Sequence, residues 1–224
     1  TAARAQGASL AVEGEQFGLL DQKLAVGGQL LTVRGLAATY EELYLPLYGA
    51  HQGRNAALAI AAVESLIGGG TQPIAPDVLA DGLGAATSPG RLQLVGVAPT
   101  VLVDSAHNPH GARSLVAALG ESFDFDEWGL VLGAFADKDV AGIVGTLAPA
   151  VAHVFATAPE SDRAEEPDAV ADLVEQTETP VTVHRDLAEA AEAARAWAAA
   201  SDRRAVVIAG SVVLAGEAVV LAEA

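Results

Sequence analysis

Val101-Leu102-Val103-Asp104-Ser105-Ala106-His107-Asn108-Pro109 carries the reading of the fold. An apolar β-branched run reads as a buried strand. Asn-Pro then reads as a helix start, because Pro109 suits the first helical position and Asn108 the N-cap. Asp104 is thereby placed at a strand tip, and His107 leads into a helix N-terminus. The same rhythm continues outward. Residues 92–97 and 100–103 read as strands, followed by a helix from Pro109. Residues 129–132 read as a strand with a helix from about Asp139, and 151–157 as a strand with a helix from Pro167. Residues 181–184 precede a helix over 187–200, and 205–209 precede a helix from Val212. Continuous apolar strands alternating with 10–15-residue helices predict an α/β fold, a mostly parallel sheet covered on both faces. Ligands of such sheets sit at the carboxyl ends of the strands.

Upstream the rhythm differs. Residues 8–12, 17–20 and 30–33 are short apolar runs within a β-rich first 48 residues. A helix is predicted over about 52–67, with Leu58, Ala62 and Leu66 on one face at i, i+4 and i+8, and Gly68-Gly69-Gly70 stops it. A short helix over 76–84 opens on Pro76. Thr87-Ser88-Pro89-Gly90 marks the boundary, so two domains are expected, 1–88 and 89–224.

Composition limits the function classes. The 224 residues carry 12 Lys and Arg against 29 Asp and Glu, a net charge of −17. That balance argues against a nucleic-acid partner, which needs a basic face, and against docking on anionic membranes. It leaves room for a nucleotide pocket, where one Arg and a few backbone N–H groups suffice. Hydrophobic residues make up 51% and charged residues 18%, enough for a packed core. The absence of Cys removes disulfide frameworks and thiolate metal sites. No apolar run reaches the roughly 20 residues of a membrane span. The chain opens Thr1-Ala2-Ala3-Arg4 without Met or a signal-peptide pattern, and the expectation is a soluble, cytoplasmic protein whose true N-terminus lies upstream.

Five places hold residues suited to chemistry. Asp104 at its strand tip can accept hydrogen bonds from ribose hydroxyls, and the helix start beyond His107 can hold an anion; a capped helix with an Asp fixing the loop accounts for the same residues. Arg91, after the Pro89-Gly90 turn, is either a solvated residue or a fork for phosphate oxygens at a hinge. His51 and Asn55 share a face in the stretch Gly49–Asn55, where they can contact a base or phosphate, or simply cap a helix. Lys138, in Gly133–Asp139, can hold an anionic substrate or stand exposed, with Asp139 as an N-cap. Ser211, after Gly210, can cap the last helix and bond a carboxylate. His153 and His184 are assigned to packing or surface. His107 and His110 lack a third ligand, so no metal site is assigned. The acidic stretch 160–168 reads as a solvated loop, and no Gly-rich Lys-Ser/Thr phosphate loop occurs.

Taken in order, Leu45-Pro46-Leu47-Tyr48-Gly49-Ala50-His51-Gln52-Gly53-Arg54-Asn55, Ser88-Pro89-Gly90-Arg91, Asp104-Ser105-Ala106-His107-Asn108-Pro109, Ala136-Asp137-Lys138-Asp139 and Gly210-Ser211 resemble the C-terminal part of the folylpolyglutamate synthases, of the Mur ligase superfamily. The resemblance covers nearly the whole chain. It implies a Rossmann-like glutamate ligase domain over 89–224, preceded by the tail of a central ATPase domain over 1–88. It also implies ATP and Mg²⁺ as cofactors, and L-glutamate with tetrahydrofolate or dihydropteroate as substrates. The γ-carboxylate would be phosphorylated and the acyl phosphate attacked by the glutamate amine. Asn55 would contact the nucleotide base, Arg91 the terminal phosphates and Asp104 the ribose. His107, Ser211 and Lys138 would place glutamate or the acyl phosphate, with Arg91 and His107 catalytic. The family's phosphate loop and Mg²⁺ ligands belong upstream of Thr1, so the polypeptide by itself is expected to show no turnover. A peptidoglycan-precursor ligase and a non-catalytic nucleotide- or amino-acid-binding module are the competing expectations.

Overall fold

The computed structural model of the chain describes residues 5–223, and the opening Thr1–Arg4 lies outside them. The chain divides into two compact units, Thr1–Thr87 and Ser88–Ala224.

In the first unit, alternation of buried and exposed residues builds an antiparallel sheet of β1 (Gly18–Ala25), β2 (Gly28–Arg34) and β3 (Thr39–Leu45) in the order β1-β2-β3. Helix α1 (Ala50–Gly68) packs on it, and α2 (Pro76–Gly84) follows. The core joins Leu31, Val33, Leu43 and Leu45 of the sheet to Ala56, Ala57, Ile60 and Ala61 of α1. The approach is close: a Cβ on Gly53 would lie 2.9 Å from a Leu19 methyl. Small residues are therefore selected for the inner face of α1, and Leu58, Ala62 and Leu66, expected together on one face, look outward. Leu58 is 57% and Leu66 86% exposed. Residues 8–12, expected as a strand, form none; β1 pairs with β2, no second strand flanks it among the described residues, and the segment stays exposed. Conversely β3, which was not anticipated, forms from the alternating run Tyr40–Leu45.

Glu64 ties this unit together. It is fully buried on α1, and its carboxylate accepts hydrogen bonds from the Leu36 and Ala37 N–H groups and from the Tyr40 hydroxyl. Tyr40 in turn accepts from the Ile74 N–H at 2.8 Å. Burial and the Glu64 hydrogen bond both push the Tyr40 hydroxyl pKa upward.

The second unit is a six-stranded sheet in the order β4-β5-β9-β6-β7-β8. Its strands are β4 (Gln93–Val97), β5 (Thr100–Val103), β6 (Glu127–Leu132), β7 (His153–Ala156), β8 (Val181–Val183) and β9 (Arg204–Ala209). All pairs are parallel except the β4–β5 hairpin. The helices are α3 (Pro109–Ser122), α4 (Val140–Leu147), α5 (Pro167–Glu175), α6 (Leu187–Ala198) and α7 (Val212–Glu223). One face of the sheet packs on α6 and α7 through Val101, Val103, Val131, Phe155, Val206 and Ile208. Asn108, Asp139 and Asp186 cap α3, α4 and α6, each accepting from the N–H three residues on. Among the described residues no helix is long and apolar enough to cross a membrane.

Candidate functional site

The parallel strands end at one edge, and the loops leaving β5, β9 and β6 interlock there. The Gly210 N–H donates to the Ala106 carbonyl at 3.0 Å, and the Gly133 N–H to the Ala209 carbonyl at 3.3 Å. Gly210 has φ 113°, and a Cβ there would stand 2.6 Å from the Gly133 carbonyl oxygen, so only glycine fits.

The loop before β4 is clasped to the same edge. The Ser105 N–H donates to the Gly90 carbonyl at 2.7 Å, and the Leu92 N–H to Asp104 Oδ2 at 3.0 Å. Asp104 Oδ1 accepts from the Ala106 N–H at 2.8 Å. Asp104 is thus a buried carboxylate that fixes two loops, and Arg91 is carried on the loop it fixes. Arg91 is half-buried, and its guanidinium has no hydrogen-bond or ion-pair partner among the described residues. A cation held on a pinned loop without a partner is suited to an anion.

His107 is half-buried, with Nδ1 2.9 Å from the Ser105 carbonyl oxygen. A carbonyl only accepts, so Nδ1 carries the proton and Nε2 of the neutral ring keeps a lone pair. Ser211 is 1% exposed, and its hydroxyl oxygen accepts from the Val213 N–H at 3.1 Å in the first turn of α7. The hydroxyl proton remains available to another acceptor.

Lys138 stands on the loop after β6, with Nζ 3.5 Å from Asp137 Oδ2. Asp137 also receives Arg163 Nη2 at 2.8 Å on both oxygens. That hydrogen bond, more than the nearby charges, holds the Asp137 carboxyl below the ordinary carboxylate range. The stretch 160–166 is a loop without buried residues, as expected, with Pro167 and Asp168 already opening α5, and it is pinned along 134–136 by backbone bonds, Ala136 N–H to Arg163 O and Glu165 N–H to Ala134 O, each 2.9 Å. The signal missed was an arginine within an acidic run, two residues before another carboxylate.

Asn55 belongs to the first unit, exposed on α1, its Nδ2 donating to Gln52 Oε1 at 3.1 Å. The N-cap position of α1 is Gly49, with no side-chain cap, so neither His51 nor Asn55 is spent on capping. Buried Gln29 holds this helix start through the Gly49 carbonyl at 3.2 Å. Arg91, Asp104, His107 and Ser211 thus share one interlocked edge of the second unit, Lys138 sits on its neighbouring loop, and Asn55 lies in the other unit. Among the described residues no three carboxylate or imidazole groups gather to hold a metal ion.

A family profile described as the Mur ligase glutamate ligase domain matches residues 90–212. The dihydrofolate synthase/folylpolyglutamate synthase of Mycobacterium tuberculosis is 41% identical over 225 residues, 94% of this chain and 46% of that protein. The crystal structure of the M. tuberculosis folylpolyglutamate synthase with ADP and AMPPCP superposes with TM-score 0.93 at 40% identity, over 99% of this chain and 51% of that one. The Escherichia coli FolC complex with DHPP and ADP superposes with TM-score 0.79 at 25% identity, over 99% of this chain and 49% of that one. The chain therefore spans about half the length of these relatives. With the strand-tip loops and the matched domain in agreement, the chain belongs to the Mur ligase family and carries its glutamate ligase domain.

Proposed function

We propose that the chain is the C-terminal part of an ATP-dependent amide ligase that adds L-glutamate to the γ-carboxylate of a tetrahydrofolate, acting in the cytoplasm, with dihydropteroate as a second acceptor. The observation that carries this reading is the unpartnered Arg91 on a loop clasped to the Asp104–Ala106 loop. An acyl-phosphate route asks little covalent work of the protein; it asks for phosphate charge to be neutralised and three substrates to be aligned.

In this reading Arg91 holds terminal phosphate oxygens of ATP, where charge develops as the phosphoryl group moves. Asp104, at the strand tip, accepts a ribose hydroxyl. Asn55, kept off the helix cap, contacts the base. His107, with Nδ1–H fixed on Ser105, offers Nε2 to the ammonium of the incoming glutamate and accepts a proton as the amine attacks. Lys138 and the Ser211 hydroxyl hold glutamate carboxylate or acyl-phosphate oxygens. Bound Mg²⁺ would supply further charge neutralisation on the phosphates. The described residues offer no carboxylate set for it, and no role here depends on one.

The test is incorporation of labelled L-glutamate by the full-length enzyme with ATP and, in parallel, tetrahydrofolate, dihydropteroate or a UDP-muramyl peptide. Incorporation with the folate acceptor, and none by the 224-residue chain by itself, supports the reading. Incorporation with the muramyl acceptor in place of the folate would overturn it.

A further inference from the structure

Asn55 ends in an amide, whose oxygen accepts and whose nitrogen donates, so reversing it about its last bond exchanges the two roles. Gln52 decides which way it faces. Asn55 Nδ2 donates to Gln52 Oε1 at 3.1 Å, and Asn55 Oδ1 has no partner among the described residues. Gln52 is no loose surface group: it is 7% exposed and stands among the buried residues of α1. The turn that carries it is held as well. The Gly49 carbonyl accepts from the Gln52 N–H at 3.0 Å and from Nε2 of buried Gln29 at 3.2 Å. Reversing the Asn55 amide by itself would set Oδ1 against Gln52 Oε1, two acceptors with no proton between them. Reversing both requires the enclosed Gln52 amide to turn over within its packing.

We propose that Gln52 is a positioning residue that makes the base site selective for a 6-amino purine: it holds the Asn55 amide with Oδ1 turned away from it, an acceptor for the adenine amino group. The proposal rests on the reading in which Asn55 meets the nucleotide base. Adenine presents an N6–H donor where a 6-oxo purine presents an acceptor oxygen. An Asn55 amide free to reverse would serve either base. Bound to Gln52, it meets the amino group with a lone pair and the 6-oxo group with lone-pair repulsion. Gln52 thus acts on the choice of nucleotide through Asn55.

The experiment compares ATP with ITP, which carries oxygen in place of the 6-amino group, in the full-length enzyme. The wild type should prefer ATP. Gln52→Leu and Gln52→Met keep the bulk of the side chain and remove its acceptor. Each should lower the ratio of kcat/KM for ATP to that for ITP about fivefold, the scale of one hydrogen bond, with the change carried by KM. Gln52→Glu, which can only accept, should hold the ratio at the wild-type level or above. Asn55→Ala should lower the ratio as Gln52→Leu does, and adding Gln52→Leu to it should lower it no further. Circular dichroism melts identify the variants that fold, and the ratio is read on those. An unchanged ratio in Gln52→Leu or Gln52→Met, a lowered one in Gln52→Glu, or a further fall in the double variant would overturn the proposal while leaving Asn55 at the base. An unchanged ratio in Asn55→Ala would instead take Asn55 off the base, and the proposal would fall with that reading.

Discussion

Asp104 is the residue at which the structural and the chemical reading meet. Its two oxygens already accept from the Leu92 and Ala106 N–H groups, so the loop-fixing role is in place whether or not a ribose is bound. Asp104→Ala should lower unfolding stability by about 1–3 kcal/mol, the cost of stranding buried donors, measured by urea denaturation. Arg91 presents the opposite case, since no partner among the described residues depends on it. Arg91→Ala should leave the denaturation midpoint nearly unchanged and, in the full-length enzyme, cut kcat/KM by about 10- to 100-fold, the value of a charge-assisted bond of about 1.5–3 kcal/mol. Equal kinetics in that variant would take Arg91 out of the mechanism. What was legible at this scale followed from position: a polar residue just after an apolar run lands on the strand-tip edge, as Asp104 and Ser211 do. Partnership was not legible, because Asp104 is answered by Leu92 twelve positions back and Asp137 by Arg163 twenty-six positions on.

Among the elements, α1 depends on a single buried carboxyl group. Glu64 unites the β2–β3 turn, Tyr40 of β3 and, through it, the loop before α2. Tyr40→Phe leaves one oxygen of Glu64 and the Ile74 N–H without their partner, and should cost about 1–3 kcal/mol in urea denaturation. In the second unit, Arg203, before β9, grips Asp124 and Asp126 before β6. Hydrogen bonds from Arg203 are the main reason both carboxyls titrate below their ordinary 3.8. Lowered folded-state values mean that this contribution is complete above the ordinary value and disappears as pH falls through the lowered ones. The stability gap between wild type and Arg203→Ala should therefore be open at neutral pH and narrow as pH falls below 3.8 and through the lowered values. A gap unchanged across that range would show that the guanidinium acts through packing. The elements of the second unit were readable because alternation of strand and helix, with Asn108, Asp139 and Asp186 at three of the helix starts, is local. The inner face of α1 was not: Leu58 and Leu66 satisfy the helical period as well as Ala57 and Ala61 do, and the choice is made by how closely the sheet must approach Gly53.

For the molecule as a whole, each unit has its own core, and the boundary lies at Thr87–Ser88. A polypeptide of 88–224 should therefore unfold in one cooperative transition by circular dichroism. A gradual, non-cooperative melt would show that it needs the first unit. The charge of −17 adds self-repulsion, which added salt screens, so the melting temperature should rise between low and moderate ionic strength. The outer stripe of α1 has a practical consequence. With Leu58 and Leu66 uncovered, the native chain will brighten an anilinonaphthalene dye and be retained on phenyl-substituted resin. Fluorescence of such a dye thus reports a greasy surface of the intact polypeptide and is no sign of damaged material.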